Sequence, residues 1–174
     1  MRDGSEAEYV DYVTARIPVL RRLAYLLAGD EHRADDLVQQ TITRLYVKWQ
    51  RACTATNLDG YVRTMLVRTF VDERRLAWSR VRLFSETPEP APVSDASVED
   101  RQVVRAALAL VPRRQQAVLV LRFYYDLPVD EVAGILGCTS GTVKSHTSRG
   151  LTTLRRLLNE RELAGFGTQG LRSR

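Results

Sequence analysis

The chain of 174 residues carries 26 Lys and Arg against 21 Asp and Glu, for a net charge of +5. That length favours one or two domains over a large enzyme, and 44% hydrophobic residues allow two cores, each small and marginally stable alone. No uncharged apolar run approaches the ~18 residues of a membrane span, and Met1 to Ser5 lack a basic-then-apolar leader. Cys53 and Cys138 lie far apart, with none of the clustered spacing of a disulfide framework or zinc site, so a reducing cytoplasm is the expected compartment.

Helical periodicity runs through the chain and strand signals are weak. Ile17, Leu20, Leu23, Ala24 and Leu27 mark a first amphipathic helix stopped near Gly29. Ala34, Leu37, Val38, Thr41, Ile42, Leu45, Tyr46 and Trp49 mark a second, with Asp35, Asp36, Gln39, Gln40 and Arg44 off the apolar stripe and Trp49 assigned to the core. After a loop from about Arg51 to Asn57, a third helix begins with Leu58, Tyr61, Val62, Met65, Leu66, Thr69 and Phe70. It ends in the arginine-rich run DERRLAWSRVR.

From Phe84 to about Ser97 the pattern stops. FSETPEPAPVSDAS holds three prolines and only acidic charges; proline fixes φ and lacks a backbone donor, so an extended linker is expected. Beyond it, Val104, Ala107, Leu108 and Val111 form a stripe ending at Pro112, and Ala117, Val120, Leu121 and Tyr124 form another. Two further helices, about Pro128 to Leu136 and about Ser140 to Leu158, flank a Gly turn, and the Gly-rich tail from Gly165 is expected to fray.

VDEVAGILGCTSGTVKSHTSRGLTTLRRLL reads as a helix-turn-helix. Ala133 is small where the helices cross, Gly137 tolerates positive φ in the turn, and Thr139 is placed to cap the second helix. Val143, Leu151, Leu154 and Leu158 anchor that helix, leaving Ser140, Lys144, Ser145, Ser148 and Arg149 on its outer N-terminal face. Such a helix enters the major groove with these side chains toward bases and phosphates. An ordinary helical hairpin with a solvated basic face is the plain alternative, and polar His146 and Thr147 interrupt the apolar pattern.

The segment from Leu127 to Leu158 resembles region four of extracytoplasmic-function sigma factors of bacterial RNA polymerase, especially at Gly141 to Ser145. DDLVQQTITRLYVKW, Asp35 to Trp49, resembles their region two, and YVRTMLVRTFVDERR the promoter-melting helix that follows. The resemblance covers roughly Val13 to Leu158 in the right order. It implies an all-α fold of two small helical domains, region two over 8–82 and region four over 99–163, joined by a flexible acidic linker over 83–98.

The same resemblance implies site roles. Asp36, Val38, Gln39, Gln40 and Arg44 would dock on core RNA polymerase. Asn57 and Tyr61 would contact bases of the melted minus-ten strand, with Arg63, Arg74 and Arg75 on its phosphates. Ser140, Gly141, Lys144, Ser145, His146, Ser148 and Arg149 would read the minus-thirty-five element. The linker would thread the RNA-exit channel, although a plain tether explains its composition as well. Promoter DNA and core RNA polymerase are the implied partners, with an anti-sigma factor a further one that no residue here identifies. Pro128 stands where the family often has a Ser cap, Arg68 where many members have Asn, and His146 where many have Arg.

Catalysis is not expected, nor is a cofactor. Glu31, His32, Asp35 and Asp36 suit an acidic helix start better than a zinc site, which usually needs three protein ligands in a dry pocket. Cys138 with His146 fares no better. The other function weighed is a helix-turn-helix transcriptional regulator that acts without being a polymerase subunit. The Pro-rich break makes a direct prediction: limited proteolysis cuts between about Phe84 and Ser97 and leaves two helical fragments, whereas a protected chain with no cut there refutes the two-domain reading.

Overall fold

The computed structural model describes the backbone of residues 3–77 and 96–169 and the side chains of 5–72 and 101–160. Every regular element among them is helical: α1 Asp3–Ala28, α2 Glu31–Val47, α3 Trp49–Ala52, α4 Leu58–Ala77, α5 Ala96–Ala109, α6 Arg113–Leu119 running into a π-helical turn Val120–Tyr124, α7 Val129–Leu136 and α8 Ser140–Gln169. The all-α expectation holds. The linker expected over 83–98 lies outside the described residues up to position 95, as do Trp78, Arg80 and Arg82, and α5 is already helical at Ala96.

In the first half, α1, α2 and α4 pack on Leu23, Leu27, Leu37, Leu45, Leu66 and Phe70, each at most 2% exposed. α1 is longer than its periodicity shows, because Pro18 sits inside it. A mid-helix proline removes one hydrogen bond and costs about 3 kcal/mol, and packing on both sides offsets it. Tyr9 and Tyr12 lie against Trp49 with ring centroids 5.4 and 5.6 Å away, and the Tyr9 hydroxyl donates to the Ile42 carbonyl at 2.8 Å. Trp49 is 3% exposed, as assigned. α2 starts at Asp30, whose carboxylate accepts from the Arg33 amide at 2.8 Å.

In the second half, α8 crosses α6 closely at Gly150, where a Cβ would lie 3.1 Å from Leu119 Cδ1. The last turn of the helix after Pro112 widens: Tyr125 N–H donates to the Val120 carbonyl and Leu127 N–H to the Leu121 carbonyl. Period-3.6 reasoning does not anticipate that widening, which leaves Phe123 60% and Tyr124 49% exposed. Gly137 has φ +63° and closes α7 in the left-handed region. α8 continues past Gly165 where fraying was expected; an interior glycine costs about 1 kcal/mol without forbidding a helix.

The halves also pack on each other. Their buried residues form one continuous apolar cluster, and polar groups of one half finish helices of the other. Gln116, 1% exposed, donates to the Leu27 carbonyl at 2.7 Å, at the end of α1. Arg68 donates to the Ile135 and Gly134 carbonyls at 2.7 and 3.0 Å, at the end of α7. Arg113 donates to the Phe70 carbonyl at 2.8 Å, and Arg63 pairs with Glu131 at 3.1 Å.

Two glycines three residues apart predict opposite outcomes. Gly134 lies within α7 with open space where a Cβ would go, so Gly134→Ala should stabilise by about 0.5–1 kcal/mol. Gly137→Ala should destabilise by about 1 kcal/mol, since L residues disfavour left-handed φ. Urea melts of both variants check the signs.

Candidate nucleic-acid interface

The turn between α7 and α8 is assembled by local chemistry. Cys138 N–H donates to the Ala133 carbonyl at 3.0 Å, and Thr139 caps α8 by accepting from the Thr142 amide at 3.2 Å. Ala133 at the crossing and Val143 below it are 7% and 0% exposed. Gly141, Lys144, Ser145, Ser148 and Arg149 all stand exposed on the outer face of α8, and Ser140 is half-buried at its start. The Ser140 hydroxyl already donates to Asp130 Oδ1 at 2.5 Å.

The two residues that break the apolar pattern are explained. Thr147 returns its hydroxyl to the Val143 carbonyl at 2.8 Å. His146 is half-buried; burial, with Arg114 and Arg149 nearby, pushes its imidazole below the ordinary value, so it is neutral at pH 7. Its Nδ1 is buried without a partner among the described residues. It therefore adds no charge to the face at that pH.

An open trough of about 380 Å³ runs beside this face, lined by Arg122, Val129, Lys144, Ser148, Leu151 and Arg155 among others. Arg155 follows Lys144 by eleven residues, close to three helical turns, so the two share a face. The face expected from the sequence ended at Arg149, and Arg155 stands on the same side of α8 as Lys144. Asp130 and Arg68 were also missed, because their roles depend on partners distant in sequence.

The residues expected at the minus-ten strand divide. Asn57 accepts from the Gly60 amide through Oδ1 at 2.8 Å and so caps α4; it is exposed, with Nδ2 on the same amide group. Tyr61 is half-buried and packs against the core. Arg63 is drawn toward the second half, held by Glu131 with its guanidinium 5.2 Å from the Tyr125 ring centre. Arg74 and Arg75 lie in α4, and their side chains are outside the described residues.

On α2, Asp36, Gln39, Gln40 and Arg44 are exposed, and Arg44 donates to Thr69 Oγ1 at 2.9 Å, tying α2 to α4. Val38 requires correction. It is 4% exposed and belongs to the core, because it sits one residue beyond Leu37 on the broad apolar stripe of a helix buried between α1 and α4. Asp35, beside this face, is bound by Arg21 at 2.7 and 3.0 Å. No group of three or more His, Cys, Asp and Glu able to hold a metal occurs among the described residues. Nor is any helix among them long and apolar enough to cross a membrane.

Comparison with known proteins places this geometry. The model for Sigma-70 region 2 matches residues 12–80, and that for Sigma-70, region 4, matches residues 101–154. The RNA polymerase sigma-E factor of Streptomyces avermitilis is 34% identical over 170 residues, covering 94% of this chain and 92% of the relative. The ECF RNA polymerase sigma factor EcfG of Rhodopseudomonas palustris is 31% identical over 161 residues, covering 90% and 88%. The chain belongs to the ECF RNA polymerase sigma factors. Among solved structures, the Bartonella quintana sigma factor RpoE, crystallised with the anti-sigma factor NepR, superposes with a TM-score of 0.68 at 26% identity over 87% of this chain and 97% of that one.

In this sigma factor the region-4 match contains α7, the Gly137 turn and α8 as far as residue 154, and the region-2 match contains α2 to α4 entire. Lys144→Ala and Arg149→Ala are both exposed changes expected to move stability by less than about 0.5 kcal/mol. At least one should weaken binding to minus-thirty-five duplex DNA. A lost base contact costs about 1–3 kcal/mol and alters sequence preference; a lost phosphate contact weakens all sequences and makes the salt dependence shallower. Fluorescence anisotropy across a salt series separates these, and wild-type binding by both variants at every salt concentration would show that the reading face lies elsewhere.

Proposed function

We propose that this sigma factor binds core RNA polymerase through the exposed face of α2, carries it to promoters and initiates transcription there. In this reading α8 reads the minus-thirty-five element with Ser140, Gly141, Lys144, Ser145, Ser148 and Arg149, and Arg155 extends the contact along the trough. His146 shapes that face as a neutral residue. The minus-ten strand is taken by α4 and the turn before it, with Asn57 and Tyr61 toward bases and Arg63, Arg74 and Arg75 toward phosphates.

The observation that carries the reading is the outer face of α8. It follows a left-handed Gly137 turn, is capped by Thr139, and presents Lys144 and Arg149 unburied beside a cationic trough. A recognition helix has this architecture. The family match supports a polymerase subunit over a free-standing regulator. The protein itself performs no chemistry in this reading and works in the cytoplasm, where polymerase is. The neighbour crystallised with NepR supports an anti-sigma protein as its regulator.

Asp36 and Gln40 are exposed on α2, so Asp36→Arg with Gln40→Arg should leave helicity and melting nearly unchanged. Two cations at a docked surface can cost several kcal/mol of affinity. Core-polymerase binding, read by anisotropy, should fall sharply and promoter-dependent run-off transcription with it. A folded double variant that binds as tightly as the parent would remove α2 as the docking surface.

A further inference from the structure

Two buried polar atoms belong to the contact between α6 and α8, and neither has a partner among the described residues. One is His146 Nδ1 and the other is Gln115 Oε1. Gln115 lies against Gly150, where a Cβ would come within 3.3 Å of the Gln115 Cβ, and Gly150 follows His146 by one helical turn. Arg114, the residue before Gln115, is exposed and acts on the imidazole, as Arg149 does from α8. An orphan acceptor on one helix thus stands beside an orphan imidazole nitrogen on the other, under two guanidiniums.

A neutral imidazole carries one hydrogen, and a buried N–H without an acceptor is less tolerable than a bare lone pair. The neutral ring therefore keeps its hydrogen on Nε2. Charging it puts a second proton on Nδ1, in a half-buried place. Burial, and then Arg114 and Arg149, accordingly hold the ring below its ordinary value in the free chain. The other charged groups on the elements around α8 are engaged elsewhere. On α7, Asp130 accepts from Ser140 and Glu131 is bound by Arg63. Arg113 donates to the Phe70 carbonyl and Arg122 to the Leu127 carbonyl. On α5, Arg105 lies over the Tyr25 ring and Arg101 lines the groove against α1. On α8 itself, Lys144 is exposed two residues before His146.

DNA reverses this balance. A phosphate beside Arg114 and Arg149 brings an anion to a ring on which only cations act, and an opposite charge nearby favours the charged form. We propose that His146 couples promoter binding to protons: neutral in the free chain, it takes up a proton as the minus-thirty-five phosphates approach, and the new Nδ1–H donates to Gln115 Oε1. The inference rests on the reading of α8 as the recognition helix. By linkage, affinity is constant at high pH, rises as pH falls through the value of the DNA-bound ring and levels off below that of the free ring. A residue at 146 that is always neutral or always charged loses this dependence.

The test uses the full chain and a fluorescent duplex carrying a minus-thirty-five element selected from a promoter library, read by anisotropy from about pH 8 to about pH 6. Parent affinity should rise by about threefold or more across that range. His146→Gln should give a flat profile, and His146→Arg a flat profile with tighter binding and a steeper salt dependence. His32→Gln, which removes the only other histidine, should keep the parent's rise, and Gln115→Leu should reduce it. Proton magnetic resonance of the His146 ring should show its titration midpoint moving up when duplex is added. A flat parent profile, an unmoved midpoint, or a rise that survives in folded His146→Gln overturns the proposal and leaves the recognition-helix reading standing. A rise unaltered by Gln115→Leu overturns Gln115 as the acceptor. If the parent fails to bind the duplex at any pH, the recognition-helix reading fails and the proton coupling fails with it.

Discussion

A helix C-terminus carries backbone carbonyls that no later turn of the same helix can reach, and a buried carbonyl without a donor costs about 1–3 kcal/mol. Two helix ends in this sigma factor meet that constraint across the boundary between halves. Gln116 supplies α1 and Arg68 supplies α7. Gln116 is 1% exposed, so its amide can persist in the packed form only while its acceptor is in place. The position of α6 under α1, and of α7 beside α4, follows from meeting these groups as much as from apolar burial.

That arrangement sets the electrostatics of the α4 and α8 surfaces apart. On α8 the cations face outward beside an open trough whose described lining comes from the second half. On α4 the described cations are engaged by a carboxylate, a tyrosine ring and peptide carbonyls. Neutralised cations contribute little to the counterion release that drives phosphate binding. The two surfaces differ in availability although both are arginine-bearing.

Within the first half, α2 and α4 are physically connected. Arg44 on α2 donates to Thr69 on α4, and Tyr12 and Arg16 on α1 hold Asp59 near the start of α4 at 2.8 Å each. Burial, and then the Asp59 carboxylate that accepts its proton, push the Tyr12 phenol well above its ordinary value, so it stays a donor throughout the physiological range. α4 therefore enters from Asn57 at an angle fixed by both neighbours.

Much of this was determined by the sequence alone, wherever the deciding interaction spans one or two helical turns. The stripes from Ile17 to Leu27 and from Ala34 to Trp49, the Gly137 turn, the Thr139 cap and the outward Lys144 face all follow from i to i+4 geometry and local hydrogen bonds. The all-α class follows from the same source, and the order of the two halves is what the resemblance to the sigma factors implies. Tertiary structure decided what depends on distant partners. The pairs Arg68–Ile135 and Gln116–Leu27 are separated by 67 and 89 positions, and no periodicity encodes such a meeting. Val38 lies on the apolar stripe that periodicity gives, and only the closure of α1 and α4 over α2 shows that it is core and not a docking residue, while Pro18 sits inside an α1 held on both sides by tertiary packing. A residue's reach along its own helix is written in its spacing; the carbonyl or ring it meets across the fold is set by how whole helices pack.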